Sequence, residues 1–170
     1  QNTSRYGGDG GGIIYIDASA IIIDGNITAN GSRGYANSYH GAGAGGSIWI
    51  VADHVSGSGG VHANGGFYYA YNYTGSGGRI LIEAKESFTL PFDNVTTLGY
   101  QKLYKSGKNG SSIIRVGSGN TGRDLYVVNP SQEAGYLTST ITILPENTIN
   151  DNDNIVIRNS GVRIEGAHQY

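Results

Sequence analysis

The chain has 170 residues, enough for one domain with a real core, and it holds 29 glycines, three prolines, no cysteine and no methionine. Charged residues make up 14% and the formal net charge is -2, which argues against a broad basic face for nucleic acid or an anionic membrane. Without cysteine there is no disulfide framework and no thiolate metal site, and glycine without a Gly-X-Y period excludes collagen.

The first elements come as a duplication. GGIIYIDASAIIIDGNITANG, Gly11 to Gly31, returns as GGSIWIVADHVSGSGGVHANG, Gly45 to Gly65, shifted by 34 positions without a gap. A shorter third copy, GGRILIEA, begins at Gly77. Repeats of this length signal one supersecondary unit stacked on itself, since one copy cannot bury its own apolar face. Each unit reads as three short strands, with breaks at Asp17–Ser19 and Asp24–Asn26 in the first copy. Helical periodicity is absent throughout. Stacking in register predicts inward ladders of Ile14, Ile48 and Ile80 and of Ile16, Ile50 and Ile82, with a small-residue ladder of Ala18, Ala52 and Ala84. Tyr15, Trp49 and Leu81 then form an outward stripe. The glycines are expected to supply positive φ at sharp corners.

Two glycine-rich insertions, 32–44 and 66–76, fall at the same place in consecutive units and should project from one side. They carry Tyr35, Tyr39, Tyr68, Tyr69, Tyr71 and Tyr73, rigid amphipathic rings among adaptable polar residues, as recognition loops use. The same rings could instead fold over the outward stripe. Beyond Leu90 the pattern changes: Pro91 opens a linker-like stretch and no further glycine-rich insertion is evident. The organisation is therefore residues 1–90 as glycine-rich repeat coils and 91–170 as a continuation of the stack or a small β cap, in one domain.

The paired segments resemble the glycine-rich repeats of large extracellular β-helical proteins, the filamentous adhesins and the pectin-lyase-like superfamily. The shared signature is G-G-x-I-x-I-x-A, a small turn, then G-x-I-x-A-N-G, and it covers about half the chain. The resemblance implies an all-β fold, a right-handed parallel β-helix (β-solenoid) with glycine-rich loop insertions, and an adhesive or structural role.

Chemistry is sparse. No two acids stack in neighbouring units as the carboxylate pair of a glycosidase would require, so no catalytic residues are assigned. Asp151 and Asp153 in a DNDN run are weak Ca²⁺ candidates, since oxygen ligands at i and i+2 suit that ion, but the run lacks the glycine and distal Glu of an EF-hand loop. Six Asn-X-Ser/Thr sequons, at Asn2, Asn26, Asn30, Asn72, Asn94 and Asn109, are candidate glycosylation sites. Asn, Ser and Thr also meet often simply because they populate turns.

No apolar run approaches the ~20 residues a membrane span needs. The chain begins with Gln1 and shows no signal peptide, so it reads as a processed chain or part of a longer parent. The expectation is an extracellular or cell-surface structural protein, not an enzyme, assembled head to tail with copies of itself or continued by a parent chain. The alternatives are a carbohydrate-binding module using the Tyr-rich loops and a polysaccharide lyase or hydrolase.

Overall fold

A computed structural model describes residues 7–34, 41–67, 74–100, 107–117, 124–128, 139–142, 154–158 and 162–165. The strands are β1 (Ile13–Ile22), β2 (Asn26–Thr28), β3 (Ser47–Ser56), β4 (Gly60–His62), β5 (Arg79–Phe88), β6 (Val95–Thr96), β7 (Ser111–Val116), β8 (Asp124–Val128), β9 (Ser139–Thr142), β10 (Asn154–Arg158) and β11 (Val162–Glu165). A single 3-10 turn, Phe92–Asn94, is the one helical element among the described residues.

The long strand of each repeat pairs in parallel with its equivalent in the next. Ile14 lies beside Ile48 and Ile48 beside Ile80, and Ile16, Ile50 and Ile82 follow in the same way. The offset is 34 residues from β1 to β3, then 32 from β3 to β5 and 32 from β5 to β7, as Ile13, Ser47, Arg79 and Ser111 show. The short strands β2, β4 and β6 make a second parallel sheet. β9 and β11 form a separate parallel pair.

The right-handed parallel β-helix is corrected by this topology. Each repeat contributes two strands rather than three, because the break expected at Asp17–Ser19 does not end the strand: β1 runs through it for ten residues. The local signal marks a slip in alternation instead. Ser19 and Ala20 are both exposed, so inward positions pass from Ile14, Ile16 and Ala18 to Ile21. β3 copies the slip, and in β5 it costs an extra residue, visible as the register shift between Ala52 and His54. Among the described residues the repeats form two small parallel sheets, apart from the β9–β11 pair, and no closed solenoid. The larger one also changes direction, because β8 adds antiparallel to β7 and β10 then pairs parallel with β8, giving the order β1-β3-β5-β7-β8-β10.

The core lies between the sheets. Ile48, Ile50, Ala52, Val55, Ile80, Ile82, Ala84 and Ile114 from the large sheet meet Val61, Ala63, Val95 and Leu90. All are essentially inaccessible to solvent. Thr97 and Ser112 are buried polar groups that satisfy each other, Oγ to Oγ at 3.2 Å.

Glycine plays a different part from the one expected. Among the described glycines only Gly57 (φ 120°) and Gly117 (φ 108°) take positive φ. Most of the others bring backbone against backbone. Gly46 N donates to Ala29 O, Gly78 N to Ala63 O and Gly110 N to Thr97 O, at 2.7 Å each. A Cβ on Gly46, Gly78 or Gly110 would collide with the carbonyl of Gly12, Gly46 or Gly78 respectively. The roots of the insertions behave alike: Gly43 N donates to Ser32 O, Gly66 N to Gly43 O and Gly75 N to Gly66 O. The stretch beyond Leu90, expected to lack such an insertion, supplies a third root at Gly99 and Gly107, whose Cβ positions are filled by Gly107 O and Gly75 O.

Candidate functional site

The outer face of the large sheet carries the chemistry that the described residues expose. Parallel pairing lays its side chains out in rows across β1, β3, β5 and β7. One row reads Ile13, Ser47, Arg79, Ser111; the next reads Tyr15, Trp49, Leu81, Ile113; the third reads Asp17, Val51, Glu83, Arg115. An aromatic and aliphatic row is thus flanked by rows that are polar except at Ile13 and Val51. It lines an open groove of about 330 Å³.

The groove is held by its own polar contacts. Tyr15 and Trp49 meet edge to face, with ring centroids 5.0 Å apart and planes at 61°, the geometry that aromatic quadrupoles favour. Trp49 Nε1 donates to Glu83 Oε1 at 3.2 Å, and Glu83 Oε2 lies 3.8 Å from Arg115 Nη1. The Tyr15 hydroxyl donates to Asp17 Oδ2 at 3.3 Å. Partial desolvation, reinforced by the Asp17 carboxylate, holds the Tyr15 phenol above its usual range, so the ring stays neutral. Tyr15 and Trp49 remain 56% and 46% exposed.

Further along the same face, Lys85 Nζ lies 3.2 Å from Asp53 Oδ1. His54 contacts Ser87 Oγ through Nδ1 at 3.0 Å and Glu86 Oε2 through Nε2 at 3.2 Å. Ser, His and Glu in line have the connectivity of a nucleophile with its base. The His54 and Glu86 side chains are more than half exposed, however, so water competes for every contact and nothing pre-organises an attack.

The sequon asparagines separate by environment. Asn26 and Asn30 are exposed. Asn30 Oδ1 accepts from Asn64 N at 2.7 Å and Asn64 Oδ1 accepts from Leu98 N at 2.7 Å, so the A-N-G signature is a polar ladder replacing backbone acceptors at a corner. Asn109 Oδ1 accepts from Gly99 N at 2.8 Å. Asn94 is half-buried, and its Nδ2 donates to Ser58 O at 3.0 Å and Gly59 O at 2.9 Å. A glycan on that nitrogen would displace one of these bonds. Asn2 and Asn72 lie outside the described residues, as do Tyr35, Tyr39, Tyr68, Tyr69, Tyr71, Tyr73, Asp151 and Asp153.

What the insertions do present is a column at their roots. Phe67 and Tyr100 stack with centroids 5.1 Å apart, and the Arg33 guanidinium sits 6.0 Å over the Phe67 ring. The three residues are separated by 34 and 33 positions, within one or two of the repeat's spacing, which is the signal that could have revealed the column in advance. Among the described residues no group of three or more His, Asp or Glu side chains could hold a metal ion, and no helix is long and apolar enough to cross a membrane. Comparison with protein-family models, curated proteins and solved structures returns no match.

Proposed function

We propose that the chain is a structural building block of an extracellular fibre or adhesin, in which copies add along their sheet edges. The observation that carries this reading is the state of β1. It is an edge strand of the large sheet, as β2 is of the small one. Its inward residues Ile14, Ile16 and Ile21 are only half-buried, whereas their register partners Ile48, Ile50 and Val55 are 1%, 0% and 0% exposed. Ile13 and Ile22 stand 86% and 73% exposed beside them. Among the described residues no strand pairs with the outer edge of β1, and such an edge, next to apolar side chains that are only half-buried, is a template for another strand.

The opposite end of the large sheet is β10, which runs antiparallel to β1 because β8 reverses the direction. Head-to-tail addition therefore joins β10 of one copy to β1 of the next as an antiparallel pair. Such a contact is heterologous and propagates, whereas β1 against β1 of a second copy closes into a dimer. The exposed sequons at Asn26 and Asn30 fit an extracellular address.

Light scattering and negative-stain electron microscopy across a concentration series test the reading. Growing linear assemblies are expected, and Ala20→Lys with Ile22→Lys, two exposed β1 positions, should leave monomers with unchanged thermal stability. A wild-type chain that stays monomeric, or stops at a dimer, overturns it.

A further inference from the structure

We propose that the groove across Tyr15, Trp49 and Leu81 binds a neutral, extended glycan chain lying across the strands. The surface has the two components that sugar recognition needs. The exposed Tyr15 and Trp49 rings, with the half-buried Leu81 and Ile113 beside them, offer a floor for the C–H faces of pyranose rings. Beside that floor, Asp17 and Glu83 present carboxylate oxygens and Arg79 and Arg115 present guanidinium donors, both suited to hydroxyl groups. The 61° step between the two rings gives one ring as floor and the other as wall, so a sugar is held sideways as well as from below.

Charge and spacing narrow the ligand. Arg79 and Arg115 line the groove, and the acids Asp17 and Glu83 border it in the adjacent row, Glu83 already paired with Arg115. Their formal charges cancel, so the rim offers no net attraction to a polyanion or a polycation. The apolar row crosses four strands at the ~4.8 Å spacing of neighbouring strands, about the advance of one pyranose per strand. A single row of side chains running across four parallel strands matches an extended β-1,4-linked chain better than a coiled one. The groove volume, about 330 Å³, sits at the small end of ligand sites, consistent with a short stretch of chain.

Trp49 is the only tryptophan in the protein, so its fluorescence reports directly on the site. Titration with cellohexaose is expected to give a saturable change in emission, with maltohexaose and polygalacturonate giving none. By calorimetry, Trp49→Ala and Tyr15→Ala should each weaken cellohexaose binding at least tenfold while circular dichroism stays unchanged; Ala20→Lys with Ile22→Lys, away from the groove, should bind normally. Absence of a saturable change with cellohexaose overturns the proposal. So does unaltered affinity in Tyr15→Ala, or tighter binding of polygalacturonate.

Discussion

At the scale of single residues, the large number of glycines is explained by space rather than by turning. The Gly12, Gly46, Gly78 and Gly110 column precedes the four strands of the parallel sheet, and each member except Gly12 has a neighbouring carbonyl where a Cβ would stand. Gly12 has nothing within contact distance. Backbone cannot move aside as a side chain can, so Gly78→Ala should cost at least the ~1–3 kcal/mol of ordinary overpacking. Gly12→Ala should be neutral or slightly stabilising, through reduced freedom of the unfolded chain. Thermal melts of the two variants check this, and equal effects would refute the steric account.

His62 makes a second residue-scale prediction. Its Nδ1 lies 2.8 Å from Thr96 Oγ1, and burial pushes the imidazole below its usual value of 6.5. The unfolded chain therefore binds this proton more readily than the folded one, and stability falls as acid is added. The contribution of neutral His62 is complete above about pH 6.5 and is lost as the pH drops below it towards the folded-state value. His62→Gln should flatten the dependence of melting temperature on pH between about 7 and 5. An unchanged slope would assign the effect elsewhere.

At the scale of elements, what the repeat made legible was register, and what it hid was the number of strands. Ile14, Ile48 and Ile80 align because the first two blocks match without a gap, and a one-residue slip would turn the inward isoleucines to the outer face. The strand count was misread at Asp17–Ser19. Asp and Ser there resemble a turn, yet Ala18 is an inward position of a continuing strand, beside the fully buried Ala52. Cross-strand partners supplied by other repeats override the local preference. Of the candidate site, the outward stripe of Tyr15, Trp49 and Leu81 was readable from alternation. Of its polar rim Arg115 was not, because it comes from β7, a fourth copy too degenerate to recognise: Ser111–Val116 keeps the spacing but only Ile114 of the inward isoleucine pair, with Ser112 at the other position. The direction reversal at β8 has no signal in composition at all.

At the scale of the whole molecule, the stack is built so that each repeat rests on its immediate neighbours. β3 lies between β1 and β5, and β4 between β2 and β6. Stability in such arrays approaches a sum of repeat and interface terms. Removing one complete period should then leave a smaller version of the same fold. Deleting residues 47–78 joins Gly46 to Arg79, which places Ile80 beside Ile14, Ile82 beside Ile16 and Ala84 beside Ala18, the partners that Ile48, Ile50 and Ala52 had. The two glycines before the long strand are kept, because Gly45–Gly46 takes over the position of Gly77–Gly78. The short sheet closes in the same step, bringing Val95 beside Ile27. The shortened chain should show the parent's β-type circular dichroism and melt cooperatively at a lower temperature, since one fully buried layer is gone. A deletion of half a period, residues 47–62, moves Ala63 rather than Arg79 into the place of Ser47 and should not fold. If both deletions unfold alike, the repeats are not interchangeable layers, and growth by addition of further copies at the β1 edge loses its structural basis.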